Sequence, residues 1–443
     1  MKIIIVGAGL CGLYLAYLLK NLNIDFEIHE KTSRPGGRIK TINAFGKRLE
    51  CGSHIIQPYH FNLLGLINKL KLNTSSIDGT KIFTYIDEIN QEIFNNLLNK
   101  FKISYEKDKP VNISTIVYLT SIFTKIELNI FKSYIFIEQE LNTEISNYMQ
   151  YMYYDLKLHN QHTCSTVKSI CLKNKYITID GGLQLLTDKL AYLVQEKLYL
   201  NSPVTEITSL PITNSYIIQL GNGRLINADY LVLATDASIK NIRLSIPKEI
   251  KLSIQNVNAI PIMRLYTFHD KEINLNSSSI KNIIQTQSIL TNIQKVDSNI
   301  LSALYINESN SDLLYNLLIN QKSNSDLLYK SKEIKKIIHT ILQNIIGQSL
   351  PKVTDYIVCK WSYGSHYNTK KIKTNFWHKH NLILAGEWVH PYHNTLEGSV
   401  MSAIETFKII TNNLFEDKLK HTPDNIKSIE INRTKHIQYD VII

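Results

Sequence analysis

Apolar and polar positions change period several times along the chain, and each change marks an element. Residues 2–6 (KIIIV) are a short β-branched run, the pattern of a strand buried on both faces. A glycine turn follows at 7–12, and residues 13–22 continue as an apolar helix. Residues 25–30 (DFEIHE) alternate as a second strand, so the chain opens like a doubly wound parallel sheet. Leucines and isoleucines in 60–72 recur at helical spacing, whereas 80–170 is rich in Tyr, Phe and Ile with mixed periods. A Gly-Gly turn at 181–182 leads into an amphipathic helix that ends near 197. Residues 198–210 and 216–235 predict a β-meander with Gly221 and Gly223 in its turn. Another strand is predicted at 259–269, Asn/Ser-rich loops at 270–330, a last buried strand at 381–385 and a helix at 397–412. The polar stretch 413–443 is expected to stay outside the core.

Composition adds bounds. With 443 residues, two or three domains are expected, and interleaved segments can share them. Hydrophobic residues make up 44% and charged residues 20%, an ordinary balance for a globular protein. The formal net charge of +11 comes from scattered lysines without a compact basic stripe, so no nucleic-acid partner is expected. Cys11, Cys51, Cys164, Cys171 and Cys359 form no CxxC pair, and an odd count fits a reducing, cytoplasmic setting better than a disulfide framework. No cluster has the spacing of zinc ligands, so no metal is expected. The apolar run at 3–19 imitates a signal peptide or membrane span, but three glycines interrupt it at fixed spacing, and a soluble chain is expected.

Gly7, Gly9 and Gly12 form GxGxxG between a strand and a helix. In that setting the first glycine allows a tight turn, the second lets backbone approach a pyrophosphate, and the third lets helix and sheet pack closely. Leu10 and Cys11 then sit at a helix N-terminus, whose free N–H groups suit phosphate. Glu30 ends the second strand, where a carboxylate accepts from both ribose hydroxyls and repels a 2′-phosphate; Lys31 follows it. In residues 34–38 (RPGGR), paired glycines allow close backbone approach and Arg38 supplies a fork for phosphate oxygens.

GxGxxG, a strand-end glutamate and RxGGR, in this order, resemble the N-terminal pattern of the FAD-dependent amine oxidase family. Residues 49–60 (LECGSHIIQPYH) are similar to that family's glycine turn beside the flavin ring, with Gly52, Ser53, His54 and Ile55 in the matching positions. His54 has two readings, a contact to flavin or substrate and a structural histidine. Residues 382–407 resemble the closing motif of the same family: AGE, a short loop, then EGS opening a helix. The resemblance implies that Glu387 bonds the ribityl or pyrophosphate region. It implies that the backbone of Leu396, Glu397 and Gly398 meets the flavin pyrimidine edge, and that the backbone of Val204 contacts adenine.

The implied architecture is α/β: a doubly wound, Rossmann-like FAD-binding domain with an interleaved α+β substrate domain. FAD-binding segments are expected at 1–79, 171–240 and 346–412, and substrate segments at 80–170 and 241–345. The expected activity is FAD-dependent oxidation of a small molecule, an amine first, by hydride transfer. A desaturase or isomerase, or a non-catalytic flavin-binding protein, is the alternative. Two positions depart from the family pattern. Arg264 stands where many members carry a lysine near flavin N5; it orients a water or an anion there, or makes a structural ion pair, but it cannot act as a base. Thr395 replaces the cage tyrosine of monoamine oxidases. Cys359 lies too early for covalent flavin attachment, so non-covalent FAD is expected. Trp361, Tyr363 and Tyr367 are either cavity walls or core.

Overall fold

The computed structural model describes residues 1–54, 56–78, 88–110, 113–133, 175–275, 293–307, 332–370 and 372–419. Ile55, Cys164 and Cys171 lie outside them, as do most of 134–174 and 276–331.

The β-branched start becomes the middle strand of a five-stranded parallel sheet. Its order is Leu382–Leu384, Tyr230–Leu233, Ile3–Val6, Phe26–His29, Leu198–Tyr199. Ile3, Ile4 and Ile5 are fully buried because both faces are covered, as the unbroken apolar run requires. On one face pack the opening helix Leu10–Asn21, the helix Gln184–Leu193 and the closing helix Leu396–Leu419. The other face packs against the sheet formed by Val204–Leu210, Ser215–Leu220, Leu225–Ala228 and Arg243–Ser245.

Two expectations need correction here. Residues 216–235 do not form one meander: after Leu225–Ala228 the chain leaves it, and Tyr230–Leu233 pairs in parallel with Ile3–Val6. Its run YLVL is apolar on both faces, which suits a central parallel strand and not a half-exposed hairpin. The closing helix also runs past 412 to Leu419, because Thr411 and Asn413 are buried against the body of the protein in spite of their polarity.

A second lobe is built on an antiparallel sheet ordered Ile293–Asp297, Ile300–Asn307, Val257–His269, Val353–Asn368. The helix Lys332–Ile346 covers this sheet with Ile338, Leu342 and Ile346. A separate aromatic cluster around Phe101, Tyr118 and Phe131 packs the helices Glu88–Asp108, Thr115–Ile122 and Lys125–Ser133 together. The strands Val257–His269 and Val353–Asn368 are long, 13 and 16 residues, and their ends reach the parallel-sheet lobe. Beside them the hairpin Thr41–Ala44 and Lys47–Glu50 delivers Cys51, which is disulfide-bonded to Cys359. Cysteine spacing could not reveal this pair, since 308 residues separate the two positions and only the fold brings their strands together. Among the described residues no helix is long and apolar enough to cross a membrane, and no cluster of His, Cys, Asp or Glu could hold a metal.

Candidate active site

A cavity of about 700 Å³ runs between the lobes, within the usual range for cofactor and substrate sites. At one end it is lined by Gly7, Gly9, Leu10 and Cys11. Gly7 has φ +105° and a Cβ there would meet the Ala234 carbonyl, so the turn is sterically reserved for glycine. At Gly9 a Cβ would meet nothing within 4 Å, which leaves room for a ligand to approach the backbone. Gly9 caps the helix without a side-chain bond and no acid stands in the first turn, so the leading N–H groups have no intrahelical acceptor. The second glycine turn lies against the first, with Gly36 N donating to Ala8 O at 2.8 Å. These features fit a pyrophosphate.

Glu30 is buried beside this turn. It accepts from Ala8 N at 2.9 Å, from Thr32 N at 2.9 Å and from Thr32 Oγ1 at 2.8 Å. Lys31 also lines the cavity, with its ammonium 3.9 Å from Asp236. Burial raises the Asp236 carboxyl, but Lys31 and the Ser238 hydroxyl more than reverse this, so it stays below the usual carboxylate range. Val204 lines the same end.

At mid-cavity Arg38 and Glu387 form an ion pair that also includes His366 and Asn394. Glu387 accepts from His366 Nδ1 at 2.8 Å and from Asn394 N at 2.7 Å, and Arg38 donates to Gly364 O at 3.0 Å. The backbone N–H of Ala237 points at His366 Nε2 at 3.2 Å. A backbone N–H can only donate, so Nε2 carries the lone pair and the imidazole proton sits on Nδ1, facing Glu387. Burial holds His366 below its ordinary pKa even though Glu387 pulls the other way, which agrees with the neutral tautomer. Burial alone would raise Glu387, but Arg38 and His366 overcome it and keep the carboxylate ionised, well below its usual range.

The far end is formed by Gly52, Ser53, His54, Arg264, Trp361 and Tyr392. Trp361 Nε1 donates to Cys51 O at 2.8 Å and holds the glycine turn against the long strand. Tyr363 lines the cavity too, whereas Tyr367 does not. Arg264 is 4% exposed; it donates through Nη1 to Glu50 O at 2.7 Å and to Tyr266 Oη at 3.0 Å. Among the described residues it forms no ion pair, so the structural reading of this residue rests on a carbonyl and a hydroxyl instead.

Most of the residues expected at a cofactor site therefore converge on one space. Gly12, Glu397 and Gly398 do not line it, although Leu396 does. The Glu397 carboxylate turns away and accepts from Asn62 N at 3.0 Å and Leu63 N at 2.8 Å, capping the helix Phe61–Lys69. The Gly398 N–H is taken by Thr395 Oγ1 at 2.9 Å, so Thr395 caps the closing helix where the family pattern led us to look for an aromatic wall. Ile55 lies outside the described residues. Sequence reading passed over His366 and Asn394. The local signals were a histidine inside the aromatic run 361–367 and an asparagine in the short loop between AGE and EGS of residues 382–407.

The parallel sheet, the glycine turn and the strand-end glutamate define a dinucleotide-binding α/β protein with a second, antiparallel lobe over its cavity. The family model for flavin containing amine oxidoreductases matches residues 10–406, and the chain belongs to that family. It is an FAD-dependent oxidoreductase. Among solved structures it is similar to a putrescine oxidase mutant, with a TM-score of 0.68, 14% identity, and coverage of 93% of this chain and 99% of that one. The wild-type putrescine oxidase bound to putrescine gives 0.65 and 13%, with coverage of 93% and 99%. A putative protoporphyrinogen oxidase from Exiguobacterium sp. 255-15 gives 0.61 and 15%, with coverage of 92% and 98%.

Proposed function

We propose that this chain oxidises an amine, with hydride leaving the carbon next to nitrogen. The observation that carries the reading is that one cavity joins the pyrophosphate cradle at Gly7–Cys11 to a space lined by His54, Trp361 and Tyr392. When bound, FAD supplies the two-electron acceptor, and the protein supplies binding, orientation and exclusion of water. The first-turn amides and Arg38 would hold its phosphates, Glu30 its ribose, and the backbone of Val204 its adenine. The Glu387–His366 pair fixes the Arg38 fork in place. The backbone at Leu396 would meet the ring edge.

The thiols of the described residues favour non-covalent attachment. Cys51 and Cys359 are bonded to each other, and Cys11 is buried with its thiol pushed up to about 12 by burial, so it is inert as a nucleophile. We place FAD binding in 1–79, 171–240 and 346–412 and substrate binding in 80–170 and 241–345. The strand Val353–Asn368 belongs to both, since it pairs with Val257–His269 and also brings Gly364 to Arg38.

The test is anaerobic mixing of the FAD-loaded protein with a panel of primary and secondary amines. Loss of oxidised-flavin absorbance, followed by steady peroxide release in air, is the expected result. Flavin that no amine reduces would overturn the reading.

A further inference from the structure

The far end of the cavity holds a buried cation, Arg264, that has no ion-pair partner among the described residues. Among the described residues the acids that line the cavity are Glu30, Asp236 and Glu387, and each is engaged near the cradle or with Arg38. Around Arg264, by contrast, the lining residues include His54 and Trp361 and, among the described residues, no carboxylate. Glu50 feels the Arg264 charge, but its carboxylate does not line the cavity and accepts instead from Leu183 N at 2.8 Å and Thr41 Oγ1 at 2.9 Å.

Arg264 is buried, yet it spends only Nη1 on protein acceptors. Among the described residues Nη2 and Nε have no partner, and these two donors form the side edge of the guanidinium, which matches the two oxygens of a carboxylate. A second atom points the same way: His54 Nε2 lines the same region, buried and without a partner. A buried cation with open donors is costly unless an anion completes it. A simple alkylamine, itself a cation at neutral pH, would find repulsion here.

We infer that the substrate carries a carboxylate, which Arg264 receives through Nε and Nη2 with His54 beside it, so that the amine oxidised is amino-acid-like. This deepens the amine-oxidation reading and rests on it for the identity of the reacting group; the anion site itself does not depend on turnover.

The test uses FAD-loaded protein and reads binding by the shift of the flavin absorbance, with benzoate and hexanoate set against benzylamine and hexylamine. The carboxylates are expected to bind at least about tenfold more tightly than the matched amines. The R264M variant is expected to lose roughly 10- to 100-fold of carboxylate affinity, the range for a charge-assisted hydrogen bond, with R264K between it and wild type. Y266F, which removes a hydroxyl bonded to Nη1 but keeps the cation, is expected to stay within about threefold of wild type. Amines that bind as tightly as the carboxylates, or an R264M variant with full carboxylate affinity, would overturn the inference. If R264M does not load FAD, the wild-type preference and the R264K shift decide it. Arg264-dependent carboxylate binding without flavin reduction by any amine, carboxylated or plain, would sink the oxidation reading and leave the anion site standing. Reduction by plain amines alone would do the reverse.

Discussion

Replacing Glu387 by glutamine keeps the shape of the side chain and removes its charge. The carboxylate serves Arg38 and His366 through one oxygen and Asn394 N through the other. A glutamine has one acceptor oxygen, so whichever way it turns, an amide N–H₂ faces a donor. Removing one partner of a buried pair costs about 3–5 kcal/mol, because the other is left uncompensated. Glu387 is 6% exposed but Arg38 is 26% exposed, so water reaches the stranded guanidinium and the lower end, about 3 kcal/mol, applies. Unfolding entropy of about 2.1 cal/mol/K per residue over 443 residues is ~0.9 kcal/mol/K, which turns this into a Tm drop of about 3 °C. The pH dependence has a definite sign. Because the folded carboxyl lies below its ordinary value of 4.5, its contribution is complete above that pH and is lost as pH falls through the lower folded value. Thermal unfolding by circular dichroism after flavin removal should therefore show the full gap between wild type and E387Q at pH 7. The gap should narrow below pH 4.5. A gap under about 1 °C at pH 7, or one that widens on acidification, would refute the reasoning.

Three more outcomes are expected. G9A should fold with wild-type stability and lose FAD affinity, since its Cβ enters open cavity, whereas G7A should unfold at a lower temperature because its Cβ meets Ala234 O at 2.4 Å; equal effects in both assays would contradict this. E30Q should weaken FAD binding about tenfold or more and lower stability by about 1–3 kcal/mol, because Ala8 N or Thr32 N loses its acceptor; equilibrium dialysis and urea unfolding check the two parts. E397A should cost about 1–2 kcal/mol through loss of the cap on Phe61–Lys69, read as accelerated amide exchange at Asn62 and Leu63.

What the sequence disclosed was local. Ile3–Val6, the glycine turn and Glu30 lie within thirty residues of one another, so period and spacing were enough to read a dinucleotide cradle from them. What it hid was assembled at long range. Arg38 and Glu387 stand 349 positions apart, and Asn62 and Glu397 335, so no window along the chain shows that one pair orders a cavity and the other caps a helix. His366 was missed for the same reason: its role depends on Ala237 and Glu387, one on each side of it in space and neither adjacent in sequence. Thr395 was read as a departure from the family's cavity wall. It does line the cavity, and its hydroxyl also closes a helix end, a role that depends on backbone geometry and not on residue volume.

The Cys51–Cys359 bond makes the stretch between them a closed ring, with the cradle on one tail and Glu387 on the other. A single backbone cut anywhere inside that ring opens a loop without dividing the molecule. Arg38, before the ring begins, and Glu387, after it ends, would remain on one covalent piece and keep each other's company. Proteolysis within the ring should thus give one band on a non-reducing gel and two after reduction, with the ion pair at mid-cavity still in place until the thiols are freed.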